Sequence, residues 1–132
     1  MAAPANSISV LNSARRAAGR YRAEWLLLLN DEIVTPDDLL KDAGTPAGRP
    51  LLKLSLAQVL MSLPGWGRKR CDSILNHVIA VTGAKVEPRQ MTVGWLLDPR
   101  AGGRRYQAWL DARQPKDGPP WPGFPYLRNS DV

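Results

Sequence analysis

The sequence feature that most constrains the fold is Leu63-Pro64-Gly65-Trp66-Gly67, which interrupts two runs of apolar residues with helical spacing. The first run holds Leu56, Val59, Leu60 and Leu63, and the second holds Cys71, Ile74, Leu75, Val78 and Ile79. A helix has to end before Pro64, and the two glycines allow backbone angles and a close backbone approach that a Cβ would resist. The pattern therefore predicts a helical hairpin whose second helix begins at Gly67 or Arg68.

Further helices are predicted on both sides of this hairpin. An arginine-rich helix with an apolar end covers residues 13–30. Thr35-Pro36 starts a short helix, because Thr is a good N-cap and Pro fits the first helical position. Ser55 and Gln58 form a capping-box pattern at the start of the hairpin's first helix. Beyond the hairpin we expect a short helix capped by Thr92 and a last helix over residues 104–113.

No alternating apolar pattern sustains a strand, so an all-α fold is expected. At 132 residues the chain has the size of one compact domain with a single core. We assign the helical domain to residues 13–113. Residues 1–12 are small and polar and are predicted to be disordered, and residues 114–132 form a proline- and aromatic-rich tail.

Charge is distributed unevenly along the sequence, with a formal net charge of +6 and a pI of about 10.0. Two basic segments, residues 1–30 and 51–113, are separated by an acidic one at 31–50. A basic face of this kind favours a polyanionic partner, although a solvated basic surface without a partner is the alternative. No stretch is long and apolar enough for a membrane span, no secretory signal opens the chain, and Cys71 is the single cysteine. We therefore expect a cytoplasmic protein that does not engage a membrane.

The start of the hairpin's second helix has the properties of a phosphate site. Backbone N–H groups in the first turn of a helix lack intrahelical partners and lie at the positive end of the helix dipole. Gly65 and Gly67 leave space for a phosphate there, and Arg68-Lys69-Arg70 adds three positive charges. The alternative is a tight interhelical turn with solvated cations, but three cations at this end oppose the dipole and cost a few tenths of a kcal/mol each. A bound polyanion would reverse that cost.

Other candidate groups favour structural roles. Trp66 could insert between base steps as a wedge, but packing between the two helices is the favoured interpretation for so large an aromatic side chain. His77 has no second ligand at metal-binding spacing, and Cys71 falls on the core face. No nucleophile has a plausible base beside it, so neither an enzyme, nor a metal site, nor a cofactor is expected.

The sequence resembles the actinobacterial integration host factors of the mycobacterial type. The likeness covers about 100 residues and is carried by the following segments: Ala14-Arg15-Arg16-Ala17-Ala18, Arg22-Ala23-Glu24, Leu39-Leu40-Lys41-Asp42-Ala43, Lys53-Leu54-Ser55, Val59-Leu60, Ser62-Leu63-Pro64, Gly67-Arg68-Lys69, Ile74-Leu75 and Gly103-Arg104-Arg105. The resemblance implies a long basic N-terminal helix on a core with a helix-two-turns-helix motif. It further implies binding to duplex DNA with little sequence preference, association with the nucleoid, and assistance to a site-specific recombinase during phage integration.

Transferred by position onto this sequence, the resemblance implies that the turn and the following helix hold the phosphate backbone through Pro64, Gly65, Gly67, Arg68, Lys69 and Arg70, and that the N-terminal helix adds Arg15, Arg16 and Arg20. We include Trp66, Arg89, Arg104 and Arg105 as further candidate DNA contacts. The sequence departs from the family in three places: Arg89 alone represents an arginine-rich stretch, residues 83–102 form a longer segment, and the tail has no counterpart. A phage-encoded variant would explain the last two.

We therefore expect a monomeric, sequence-nonspecific, double-stranded DNA-binding architectural protein. The rival hypothesis is a protein–protein adaptor that docks through Pro119-Pro120-Trp121-Pro122 in the tail. A third possibility, an accessory module of a nuclease or glycosylase, shares the hairpin but requires an acidic or nucleophilic centre that the sequence does not offer.

Overall fold

The computed structural model describes residues 4–114, with side chains from residue 7 onward. Within this range six α-helices follow one another: α1 Pro4–Asn30, α2 Pro36–Ala43, α3 Leu56–Met61, α4 Arg68–Thr82, α5 Val93–Leu96 and α6 Arg104–Ala112. Three 3-10 helices lie between them at Arg49–Lys53, Pro88–Gln90 and Pro99–Ala101. Over the described residues the only strand-like pairing is an isolated bridge between Ser55 and Thr92. The prediction of an all-α domain is confirmed.

The N-terminal helix is longer than the sequence pattern predicts. We expected disorder over residues 1–12 and a helix from residue 13, but α1 begins at Pro4, so the prediction is wrong for residues 4–12. Pro4 is tolerated in the first helical turn, and neither proline nor glycine recurs before Gly19, so nothing stops the helix from extending. Residues 1–3 and the predicted tail from residue 115 onward lie outside the described residues.

The predicted helix caps at Thr35 and Ser55 are both present as capping boxes. The Thr35 Oγ1 accepts from the Asp38 amide at 3.1 Å, and the Asp38 carboxylate accepts from the Thr35 amide at 2.9 Å. Ser55 and Gln58 exchange the same pair of bonds at 3.0 Å each. The bonds at Thr35 also lower the pKa of Asp38. Each pair satisfies two amides that a helix start would otherwise leave without partners.

The core forms around the packing of α4 against α6 and of α3 against α4. It is built from apolar side chains of every helix, with Leu29, Leu39, Leu60, Leu75 and Trp109 among the fully buried ones. The residues that face inward on α4 are Cys71, Ile74, Leu75 and Val78, in agreement with the predicted spacing. The opposite face of α4 is left exposed to solvent.

The long helix α1 is attached to this core by its C-terminal half. Leu29 is fully buried, the Tyr21 hydroxyl donates to the Asp42 carboxylate, and Arg22 Nη1 donates to the Pro50 carbonyl at 3.3 Å. The carboxylate bond raises the pKa of Tyr21. Residues 7–17 are all exposed, so the N-terminal half of α1 presents its side chains to solvent.

The loop that receives α1 depends on one close backbone contact at Gly48. A Cβ on Gly48 would lie 1.9 Å from the Asp42 carbonyl oxygen, a separation at which the backbone has to move. Thr45 closes the same loop, because its hydroxyl donates to the Asp42 carbonyl at 2.6 Å and accepts from the Gly48 amide at 3.1 Å. Asp42 therefore links α1, α2 and this loop.

We predict opposite effects for the same substitution at two glycines. Gly48→Ala should lower the free energy of unfolding by about 1–3 kcal/mol, because the added methyl group overlaps the Asp42 backbone. Gly19→Ala should raise it by about 0.5–1 kcal/mol, since Gly19 lies inside α1 with no atom closer than 4.0 Å to its would-be Cβ. Urea unfolding followed by circular dichroism measures both. Equal effects of the two variants would contradict the Gly48 contact.

Candidate nucleic-acid interface

The turn between α3 and α4 is shaped by its first glycine. After α3 ends at Met61, the Trp66 amide donates to the Leu63 carbonyl at 3.2 Å. Gly65 has a φ of 77°, in the left-handed region that side chains with a Cβ rarely adopt. Gly67 differs, because its φ of −98° and ψ of 172° are open to any residue. Neither glycine has an atom within 4 Å of where a Cβ would stand.

The start of α4 is open and cationic. Gly67 is the N-cap and offers no side-chain hydrogen bond, whereas Thr35 and Ser55 cap α2 and α3 with their own oxygens. Arg68, Lys69 and Arg70 occupy the first turn, all three are exposed, and no acidic residue shares that turn. None of the ion pairs found within residues 7–114 involves them. Free amides, the helix dipole and three cations therefore coincide at one exposed helix end.

Trp66 lies between the core and a cation. Its side chain is partly buried and packs against the core, and the guanidinium carbon of Arg70 stands 3.7 Å from the centroid of its ring. This arrangement supports the packing interpretation of Trp66, since one face of the indole is covered by Arg70 and the ring is held by the core. The exposed residues of the turn are Pro64, Gly65 and Gly67.

The arginines of α1 form a separate group. Arg15 and Arg16 are exposed on the N-terminal half of the helix, which projects beyond its attachment to the core, and Arg20 is exposed where the attached part begins, next to Tyr21. Arg22 belongs to that attachment instead, because it donates to the Pro50 carbonyl. Three cations of α1 are therefore open to a ligand.

The predicted residues Arg104 and Arg105 lie away from the turn. They begin α6 and line a cleft of about 460 Å³ together with Thr82, at the C-terminal end of α4. Since α4 has 15 residues, this cleft is about 22 Å from the turn along the helix axis. Arg105 is half-buried and is fixed by Trp95, whose carbonyl accepts from Nη1 at 2.8 Å and whose ring lies 4.3 Å from the guanidinium carbon.

Two further arginines carry acidic partners. Arg89, predicted as a DNA contact, is exposed and pairs with Glu87 at 3.4 Å, so its charge is partly compensated. Arg100 was not predicted, although it lines the same cleft as Arg104. Its guanidinium binds the Asp98 carboxylate at 2.8 Å, a short-range pair that the spacing Asp98-Pro99-Arg100 could have indicated.

The described residues hold no group of three His, Cys, Asp or Glu side chains that could bind a metal ion. Cys71 is buried, and this burial raises the pKa of its thiol. Among the described helices none is long and apolar enough to cross a membrane.

Comparisons with family models, curated proteins and solved structures find no match to the chain. A function for the chain is therefore proposed below from its own sequence, geometry and charge.

We predict an acid-sensitive contribution to stability from Asp98. Arg100 holds the pKa of Asp98 at about 2, below its usual value of 3.8, so the carboxylate stabilises the fold above about pH 4 and this contribution is lost as the pH falls towards 2. Asp98→Asn should therefore flatten the pH dependence of the urea midpoint between about pH 5 and 2. An unchanged profile for Asp98→Asn would contradict the assignment.

Proposed function

We propose that this protein binds the sugar-phosphate backbone of double-stranded DNA through the start of α4, without sequence preference, as an architectural protein. The observation that carries the proposal is the coincidence of an uncapped helix start with the exposed cations Arg68, Lys69 and Arg70. Helix starts of this kind bind phosphate groups, because their amides and their dipole both favour an anion. The open space at Gly65 and Gly67 lets a phosphate approach the backbone.

The energetics of the isolated domain also favour an anionic ligand. Cations in the first turn are repelled by the helix dipole, and within residues 7–114 no carboxylate pairs with them. The first turn of α2, by contrast, carries Asp37 and Asp38, whose negative charges the helix dipole favours at that end. A DNA phosphate at α4 would turn an unfavourable charge arrangement into a favourable one.

Backbone contacts without base contacts give affinity and little specificity. The exposed arginines of α1 would add positive charge for binding the phosphate backbone; they are Arg15, Arg16 and Arg20. If about four to six phosphates are neutralised, the logarithm of the affinity should fall with the logarithm of salt concentration at a slope of roughly −4 to −5. Unrelated duplexes of equal length should therefore bind alike.

The resemblance to the integration host factors supports a nucleoid-associated role, with site-specific recombination as the process served. The features of this chain that support the proposal are the long arginine-bearing helix α1 and the helical hairpin of α3 and α4. The tail-mediated adaptor remains the rival function, and its residues lie outside the described range.

We predict that Arg68→Glu with Lys69→Glu abolishes DNA binding and leaves the fold intact. Losing two charge-assisted contacts should weaken affinity by about 100-fold or more, since each such bond contributes about 1.5–3 kcal/mol. Gel shifts on two unrelated duplexes measure the affinity, and circular dichroism verifies the helices.

The matched control is Lys41→Glu with Lys53→Glu, which changes the net charge equally at exposed lysines away from the turn. This variant should retain most of the affinity. Equal losses in the two double variants would show that general electrostatics, and not the α4 start, binds DNA. Absence of any shift by the wild type at low salt would favour the adaptor.

We predict that Gly67→Ser separates stability from binding. Serine is a better N-cap than glycine, so the variant should gain a few tenths of a kcal/mol in unfolding free energy. Its hydroxyl would accept from the first-turn amides and occupy the place proposed for the phosphate, so affinity for duplex DNA should fall. Thermal unfolding and gel shifts measure the two quantities. A stable variant with unchanged affinity would refute direct contact between phosphate and the α4 amides.

A further inference from the structure

Three arginines stack on tryptophan rings within the described residues, and one of them differs from the others. Arg105 over Trp95 and Arg113 over Trp109 stand at 4.3 and 5.5 Å from the ring centroids. Both also donate to the protein, Arg105 to the Trp95 carbonyl and Arg113 to the Asp37 carboxylate at 3.3 Å.

Arg70 over Trp66 has the shortest stacking distance, 3.7 Å, and it donates to no acceptor within residues 7–114. Its guanidinium is therefore oriented without having its donors occupied. It is also the stacked cation that lies in the first turn of α4.

We propose that Trp66 is a positioning residue that holds Arg70 as a preorganised, two-pronged donor to a DNA phosphate. This inference rests on the proposed function and assigns a distinct role within the same site. Trp66 acts through Arg70, and the phosphate is bound by the guanidinium.

The geometry of a guanidinium explains why stacking suits this role. Its five N–H donors lie in one plane, so an indole that covers the flat face leaves the donors at the edge open. A bidentate bond to phosphate needs that edge in a fixed direction, and fixing it before binding removes part of the entropy cost. Trp66 can supply this direction because its own ring is packed against the core.

Arg70 and Arg68 should therefore respond differently to the same conservative change. Lysine keeps the charge but has neither a flat face to stack nor a fork of donors. Arg70→Lys should weaken duplex binding by about threefold to tenfold, the range that corresponds to fixing one flexible side chain on binding. Arg68→Lys should cost less than about twofold, because within residues 7–114 no stacking partner is found for Arg68.

A double-mutant cycle tests the coupling between Trp66 and Arg70. Trp66→Leu, Arg70→Lys and the double variant are compared by gel shift on one duplex over a series of salt concentrations. Trp66→Leu should lower affinity at every salt concentration and leave the salt slope unchanged, since Arg70 keeps its charge. In the Trp66→Leu background, adding Arg70→Lys should lower the affinity for the duplex by less than about twofold. When Trp66→Phe is present instead, Arg70→Lys should keep its larger cost, because a phenyl ring still offers a face.

The outcomes separate this inference from the proposed function. If Arg70→Lys costs the same factor with and without Trp66, the positioning role is refuted, while abolished binding by Arg68→Glu with Lys69→Glu still supports the site. If the wild type binds no duplex, both fail. Trp66 also packs against the core, so circular dichroism must show that Trp66→Leu folds. If Trp66→Leu does not fold, the comparison of Arg70→Lys with Arg68→Lys tests the proposal instead. Equal losses of duplex affinity in these two variants would overturn it.

Discussion

The structure depends on the packing of α4, which buries one face and exposes one end. Cys71, Ile74, Leu75 and Val78 fix the helix against α3 and α6, so its axis and its first turn have a defined position. The turn before it is fixed by Gly65 in the left-handed region and by Trp66 against the core. Apolar burial therefore holds a set of cations in an arrangement that the cations themselves would not favour.

The N-terminal ends of α2, α3 and α4 have similar backbone geometry but differ in whether a side chain caps them. Two are closed by reciprocal side-chain bonds, at Thr35 and at Ser55, and need no other partner. The third, at Gly67, lacks such a bond although serine or threonine would fit its backbone angles. A sequence shaped by stability alone would cap all three. The start of α6 also combines an uncapped glycine, Gly103, with arginines, but the φ of 82° at Gly103 requires a glycine there, whereas the angles at Gly67 do not. A departure from the local rule without such a conformational reason is typical of a functional position.

Local patterns in the sequence predicted much of the fold, and contacts distant along the chain could not be predicted. The caps at Thr35, Ser55 and Thr92 depend on residues three positions apart, so spacing reveals them. The bonds from Tyr21 to Asp42 and from Arg113 to Asp37 join residues far apart, and no single-sequence pattern encodes them. The start of α1 was placed too late because the alanine, serine and asparagine residues of this segment resemble disordered sequence, although Ile8, Val10 and Leu11 lie among them and no residue after Pro4 breaks the helix. The candidate site shows the same contrast between local spacing, which can be predicted, and long-range contacts, which cannot.

The cations of the candidate site were identifiable as a cluster, but their individual states were not. Spacing alone assigns the same character to every arginine, whereas the structure separates those with bound partners from those without. Arg105 is held by the Trp95 carbonyl, and Arg89 is paired with Glu87. An ion pair on the surface contributes little to stability, but it still lowers the charge that a polyanion meets. Among the described residues, the exposed cations of the α4 start and of α1 carry no acidic partner, and neither does Arg104 at the start of α6, so their charges are not compensated by a carboxylate.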